Sequence, residues 1–231
     1  MFTGPNIVTD GLVLALDAAN VKSYPGSGTT WYDLSGNGNN GTLTSGPTFN
    51  NGNGGSIVFD GVNDYISLNS PITLATAGAT INTWFYITDF STNNNTDAIT
   101  LFSDTSSFNS LISFWNGGFG FETNTNSNPV EFFGQTTAPI TEPSIVSGVW
   151  INFVLVFDTT AYTYINGNLV NTIAIGNSLT FRYIGRAPAG GRQDYPDWHH
   201  GSVSKVLTYN RALTAEEVLQ NYNATKSRFN L

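Results

Sequence analysis

The sequence predicts an all-β protein: a two-layer sandwich of antiparallel strands with one short helix close to the C-terminal end. Three observations predict it. About a dozen short apolar runs recur at fairly even spacing between clusters of Gly, Asn, Ser and Thr. Charged residues are only 10% of the 231, while 16 Phe, 10 Tyr, 5 Trp and 24 Gly supply packing mass and turns. Only one stretch, beginning at Thr214, carries a helix start signal. With no linker, repeat or break in composition, a single domain over residues 1–231 is expected.

In chain order, Gly11–Asp17 alternates Leu12, Leu14 and Leu16 on one face and reads as a strand. Ala18 to Asn53 is mostly loop, in which Trp31 and Tyr32 are either anchors against the core or a sugar platform. Leu43 and Phe49 mark short edge strands. The stretch Ile57–Leu68 organises the rest, because two short core strands, with Ile57 and Phe59 on one face and Ile66 and Leu68 on another, meet at Asp60-Gly61-Val62-Asn63-Asp64. That turn carries two acids and an amide, oxygens that suit a hard cation such as Ca²⁺. The plainer alternative is that Asp60 and Asp64 only brace it.

Strands are expected at Ala79–Ile87, Asp97–Ser103, Ser110–Trp115, Gly118–Thr123, Val130–Gly134 and Trp150–Phe157, the last the most apolar. Ala161–Ile165 and Leu169–Ile173 flank Asn166-Gly167, the strongest short hairpin signal. Phe181–Arg186 and Ser202–Tyr209 complete the strands, separated by the polar loop Ala187–Gly201. Thr214 and Glu217 form a capping box, with Leu213 and Val218 as hydrophobic staple, for a helix running to about Asn223 with Val218, Leu219 and Tyr222 inward.

The net charge of −8 and the scatter of only eight Lys and Arg argue against nucleic acid and against anionic membranes as partners. No cysteine is present, which removes thiol catalysis, thiolate metal sites and disulfides together. Met1 to Asn6 lacks a basic segment and an apolar segment, so no signal peptide is expected, and no run of 18 apolar residues is long enough to span a bilayer.

Four stretches carry a family resemblance: Trp31–Gly41, Phe59–Tyr65, Trp150 through Asn166-Gly167, and Gly201 through Glu217. In order and spacing they resemble the laminin-G-like and pentraxin-like branch of the concanavalin A-like lectin/glucanase jelly rolls. The resemblance implies a two-sheet antiparallel jelly-roll sandwich. It also implies a Ca²⁺ site joining an early turn to the long loop before the last strand: Asn63 and Asp64 match the pentraxin Asp-Asn pair in reversed order, Gln193 and Asp194 match a Gln-Asp step, and Asp197 follows close enough to contribute. The late loop departs from the family in lacking glutamate and in placing Arg192 beside the ligands, where it can pair with Asp194 instead.

Glucanases of this superfold use paired carboxylates on one strand, and the spacing Glu-x-Asp-x-x-Glu does not occur here. His199 and His200 stand side by side without a third ligand at metal spacing. A non-enzyme is therefore expected. The loop segment Asp194-Tyr195-Pro196-Asp197-Trp198-His199-His200 combines acids, rings and imidazoles, the residue types that stack on sugar faces and bond sugar hydroxyls. Asp194, Tyr195, Asp197, Trp198 and His199 are the expected ligand contacts. A lectin-like fold without cysteine or export signal also resembles bacteriophage virion proteins. The combined expectation is a virion-displayed adhesin or decoration protein with host-surface glycans and other virion proteins as partners, as a monomer or a homo-oligomer. The alternatives are a purely structural virion brick and an accessory module of a glycosidase.

Overall fold

Alternation of apolar and polar residues resolves into two antiparallel sheets in the computed structural model, which describes residues 5–90, 98–104, 110–115, 118–123, 145–175, 177–186 and 198–231. The strands are β1 (Leu12–Asp17), β2 (Thr30–Trp31), β3 (Gly41–Thr44), β4 (Thr48–Asn50), β5 (Ser56–Asp60), β6 (Tyr65–Leu74), β7 (Ala79–Ile87), β8 (Ala98–Ser103), β9 (Ser110–Trp115), β10 (Gly118–Thr123), β11 (Trp150–Phe157), β12 (Thr160–Ile165), β13 (Asn168–Ala174), β14 (Leu179–Ile184) and β15 (His200–Tyr209). Helix α1 spans Ala215–Asn223. Among the described residues the larger sheet runs β13-β12-β11-β7-β15-β5-β4, with β1 also on β15, and the smaller runs β10-β9-β8-β14-β6-β3-β2. This is the expected jelly-roll sandwich. The expected strand Val130–Gly134 lies outside the described residues.

Strand β15 is the axis of the larger sheet. Its first half pairs with β5 (His200 opposite Asp60, Ser202 opposite Val58) and its second half with β1 (Lys205 opposite Asp17). Between the sheets, rings interlock: Phe85 and Phe153 of the larger sheet meet Phe114 of the smaller at 4.5 and 4.9 Å, and Phe119 meets Phe153 at 5.5 Å. All four are essentially without solvent contact. Such ring pairs add to the area they bury. Asn166 and Gly167 both take positive φ, 50° and 81°, as the β12–β13 hairpin requires.

The C-terminal segment lies on the outer face of the larger sheet. Thr214 Oγ1 accepts the Glu217 N–H at 3.3 Å and Glu217 Oε2 accepts the Thr214 N–H at 2.9 Å, the expected capping box. Arg211 adds a two-pronged contact to Glu217 at 2.7 and 2.6 Å. Val218 is buried as expected, but Leu219 is 47% exposed. Asn221 takes the inward place instead, because the helix docks on a polar seam: Asn221 accepts the Val8 N–H at 2.8 Å and donates to Tyr209 Oη at 3.0 Å. Past the helix, Phe229 stacks on Trp84 of β7 at 4.2 Å. Arg228 ties this end down through Asp17 (3.0 Å) and Ser204 (2.7 Å), and Lys205 reaches the same Asp17 at 3.2 Å.

Candidate functional site

The turn between β5 and β6 is braced by its own acids. Asp60 Oδ1 accepts the N–H groups of Val62 (2.8 Å) and Asn63 (3.3 Å), and Asp64 Oδ2 accepts the Asp60 N–H at 3.1 Å. Asp64 is 5% exposed. Burial holds its carboxyl above the usual carboxylate range, a shift opposed by the Asp60 N–H and reinforced by the Asp60 charge. Asn63 points outward and is exposed.

The late loop re-enters the fold beside this turn. On β6, Ile66 and Leu68 face the core, so alternation turns Tyr65 and Ser67 to the outer face of the smaller sheet. Tyr183 of β14 pairs opposite Ser67, and its ring meets Tyr65 edge-on at 5.6 Å and 88°. Trp198, two residues before β15, lies 6.1 Å from Tyr65. The Arg186 guanidinium sits over both tyrosine rings, 4.9 Å from Tyr65 and 4.6 Å from Tyr183. Its Nε is buried and has no hydrogen-bond partner among the described residues. Gly185 lets the chain pass this close: at φ 84°, a Cβ there would stand 2.6 Å from the Phe59 ring. Tyr65, Tyr183, Arg186 and Trp198 are all half-buried, so each offers a face or edge to solvent while the rest of the group is fixed.

Of the residues expected to bind a ligand, Trp198 is in this cluster. Asp194, Tyr195 and Asp197 lie outside the described residues, as does Gln193. His199 is a correction: it is wholly buried, its N–H donates to the Gly185 carbonyl at 3.0 Å and its ring packs edge-on to Phe59 at 5.3 Å. Burial lowers its pKa to about 3, so it is a neutral core side chain with no surface to offer a ligand. Trp198, one residue earlier and still outside β15, turns to Tyr65 of β6 instead. Tyr65, Tyr183 and Arg186 were missed as site residues; the signal for Tyr65 was the inward placement of Ile66, and for Tyr183 that of Phe181 and Ile184, whereas Arg186 lies past the end of β14 and had no such signal.

Among the described residues no three His, Asp or Glu side chains gather as a metal site. Asn63 and Asp64 have the oxygen chemistry a hard cation takes, but two donors fall well short of the roughly six to eight oxygens of Ca²⁺. Glu216 and Glu217, the one adjacent glutamate pair, belong to the helix start, where Glu217 is engaged by Arg211 and Thr214. Trp31 is fully buried, an anchor under its loop, whereas Tyr32 is 47% exposed.

A sequence model described as the concanavalin A-like lectin/glucanases superfamily matches residues 60–219. No curated protein matches the chain. Solved structures share the fold at low identity. The receptor-binding domain of botulinum neurotoxin type G is 18% identical with a TM-score of 0.63, over 92% of this chain and 51% of that one. The binding domain of Paraclostridial mosquitocidal protein 1 is 18% identical with a TM-score of 0.66, over 94% and 52%. Domain 4 of AbnA, an extracellular arabinanase from Geobacillus stearothermophilus solved with arabinotriose, is 17% identical with a TM-score of 0.65, over 91% and 98%. The chain thus spans about half the length of the two toxin structures and nearly all of the arabinanase domain.

Proposed function

The chain belongs to the concanavalin A-like lectin/glucanases superfamily, and from that premise we propose that it is a non-catalytic, carbohydrate-binding jelly-roll protein that docks surface glycans. The observation that carries this reading is the group Trp198, Tyr65, Tyr183 and Arg186, which joins an early strand, a late strand and the end of the late loop in one half-open aromatic patch. Aromatic faces stack on the apolar faces of sugar rings, and a guanidinium already held over two rings presents donors without freezing a flexible side chain. The reading is supported by the arabinotriose-bound arabinanase domain, which this chain overlays nearly end to end, and by the toxin binding domains of the same fold. Fold likeness alone assigns no ligand.

A glycan array probed with the intact chain, Trp198→Ala and Arg186→Met tests it. Binding to at least one glycan that falls about tenfold or more in either variant, with melting temperatures retained, is the expected result. An array blank for every form, or binding indifferent to both substitutions, removes the patch as the site.

The biological setting in this proposal is a virion, as an adhesin or decoration protein touching host glycans, for which a rigid cysteine-free sandwich is suited. Mass spectrometry of purified particles that finds the chain at stoichiometric copy number supports it, and a chain absent from every particle retires it. A virion chain that binds no glycan leaves the purely structural role. Ca²⁺ completes the proposal: residues 193, 194 and 197 would add their oxygens to Asn63 and Asp64. A ligand bound only by the native state raises the melting temperature by mass action, so a melt unchanged between millimolar Ca²⁺ and chelator ends that part.

A further inference from the structure

The outer face of the larger sheet carries a groove that the patch above does not use. Four residues stand in register across four neighbouring strands: Val58 of β5, Ser202 of β15, Tyr86 of β7 and Trp150 of β11. Each sits between or beside inward residues, Ile57 and Phe59, Val203, Phe85 and Ile87, and Ile151, so alternation turns all four outward. With strands about 4.8 Å apart, the row forms a floor about 14 Å long. The C-terminal segment ends against it: Phe229 packs on Trp150 at 4.7 Å. Asn50 and the short 3-10 turn Gly52–Gly54 continue this wall, with Asn53 bonded to the Arg228 segment. The half-open groove has a volume of about 370 Å³, inside the ~300–1,000 Å³ range of small-ligand sites.

The chemistry of the lining narrows the occupant. None of the nine residues that line the groove is charged. Arg228, bonded to the backbone of the lining residue Asn53, is also committed to Asp17 and Ser204. A charged ligand would lose its hydration here with no counter-ion to replace it. A wholly apolar ligand would strip water from the side chains of Asn50, Thr88 and Ser202 without returning a hydrogen bond. What fits both halves of the lining is a neutral molecule with apolar faces and a rim of hydroxyls. The aromatic walls are set in advance. The Tyr86 and Trp150 rings are 5.7 Å apart and inclined at 51°, an open angle rather than a closed stack. Asn53, with its amide turned to satisfy both neighbours, accepts the Trp150 Nε1–H at 2.8 Å and donates to the Arg228 carbonyl at 3.1 Å, fixing the indole between floor and wall.

We propose that this groove is a second carbohydrate site, separate from the aromatic patch, that takes a short run of a neutral oligosaccharide across strands β5, β15, β7 and β11. It shares with the proposed function only the class of ligand. The patch lies on the outer face of the smaller sheet and the groove on the outer face of the larger, with the whole sandwich between them. A branched or repeating glycan, or two glycan chains on one surface, can then engage both faces, and two weak sites held on one rigid body bind such a surface more tightly than either alone.

The test follows backbone amides by NMR while maltotriose, cellotriose and arabinotriose are each titrated to millimolar concentration into the full chain. The expected result is saturable shifts at Val58, Tyr86 and Ser202 with at least one trisaccharide. Ser202→Phe should abolish them, because its ring would fill the floor from an outward position that leaves the core untouched. Trp198→Ala should leave them intact. Shifts that persist in Ser202→Phe, or no shift at these amides with any of the three sugars, overturn the groove proposal. Loss of the shifts in Trp198→Ala but not in Ser202→Phe likewise overturns it and moves the sugar to the patch. Failure of the patch alone, with array binding indifferent to Trp198→Ala, leaves the groove result standing.

Discussion

Asp17→Asn is expected to loosen the C-terminal segment that walls the groove, and the size of the effect follows from what Asp17 neutralises. Its carboxylate faces two cations, Lys205 at 3.2 Å and Arg228 at 3.0 Å, whose side chains are 9% and 10% exposed. Asparagine keeps the shape and the bond from the Ala19 N–H but leaves both cations without their anion. Removing one partner of a buried pair costs about 3–5 kcal/mol. Asp17 is itself 19% exposed, so water recovers part of this and the lower end, about 3 kcal/mol, applies. At about 2–4 °C per kcal/mol for a chain of this size, melting falls by about 6–12 °C.

The pH dependence carries a sign that separates charge from shape. Burial already pulls the Lys205 ammonium below its usual range, with the Asp17 charge acting to raise it. Without Asp17 the folded-state pKa drops further below the unfolded value. Between those two values the unfolded chain binds more protons, so stability rises with pH. The deficit of Asp17→Asn relative to wild type is therefore full below the folded Lys205 pKa and shrinks as pH climbs toward 10.5. Thermal melts by circular dichroism at neutral and alkaline pH read both quantities. A loss under about 1 kcal/mol, the range of an exposed pair, or a deficit that grows with pH, refutes the electrostatic account.

Further outcomes follow from single contacts. His199, with its pKa lowered to about 3 by burial, disfavours the charged form in the folded state; as pH falls from about 6.5 to about 4, its contribution to stability drops by about 3 kcal/mol. Urea melts of His199→Leu should lose that part of the acid sensitivity, and an unchanged pH slope would place the sensitivity elsewhere. Phe229→Ala deletes a ring held between Trp84 and Trp150 at 4.2 and 4.7 Å, with an expected cost of about 3–5 kcal/mol in the same melts; a cost under 1 kcal/mol would mean that the segment is not docked as described. Thr214→Ala removes the helix cap and should cost about 1 kcal/mol, with no measurable loss indicating that the Arg211–Glu217 pair alone holds the helix start.

The legible part of this protein was whatever depends on local pattern. Alternation placed Leu14 and Leu16, Ile57 and Phe59, and Ile66 and Leu68 in the core, and all are buried. Asn166-Gly167 and the Thr214–Glu217 box announced their turn and helix start because each needs only residues within a few positions. Leu219 was misread for a related reason. Helical spacing identifies a face, but the surface it meets is supplied by Val8 and Tyr209, 213 and 12 residues before Asn221, and that surface is polar. His199 failed similarly, since adjacency to Trp198 in sequence says nothing about which of the two turns inward.

By itself, then, the amino-acid order determined the class of fold, most strand positions, the turn at Asp60–Asp64 and the capped helix start at Thr214, all consequences of periodicity and short-range hydrogen bonding. The tertiary structure alone decided which side chains share a surface. Tyr65, Tyr183, Arg186 and Trp198 come from three distant segments, and the Val58–Ser202–Tyr86–Trp150 row exists only through the register of four strands. Register is a property of pairs of strands, settled when the core closes, and no single strand carries it in its own residues.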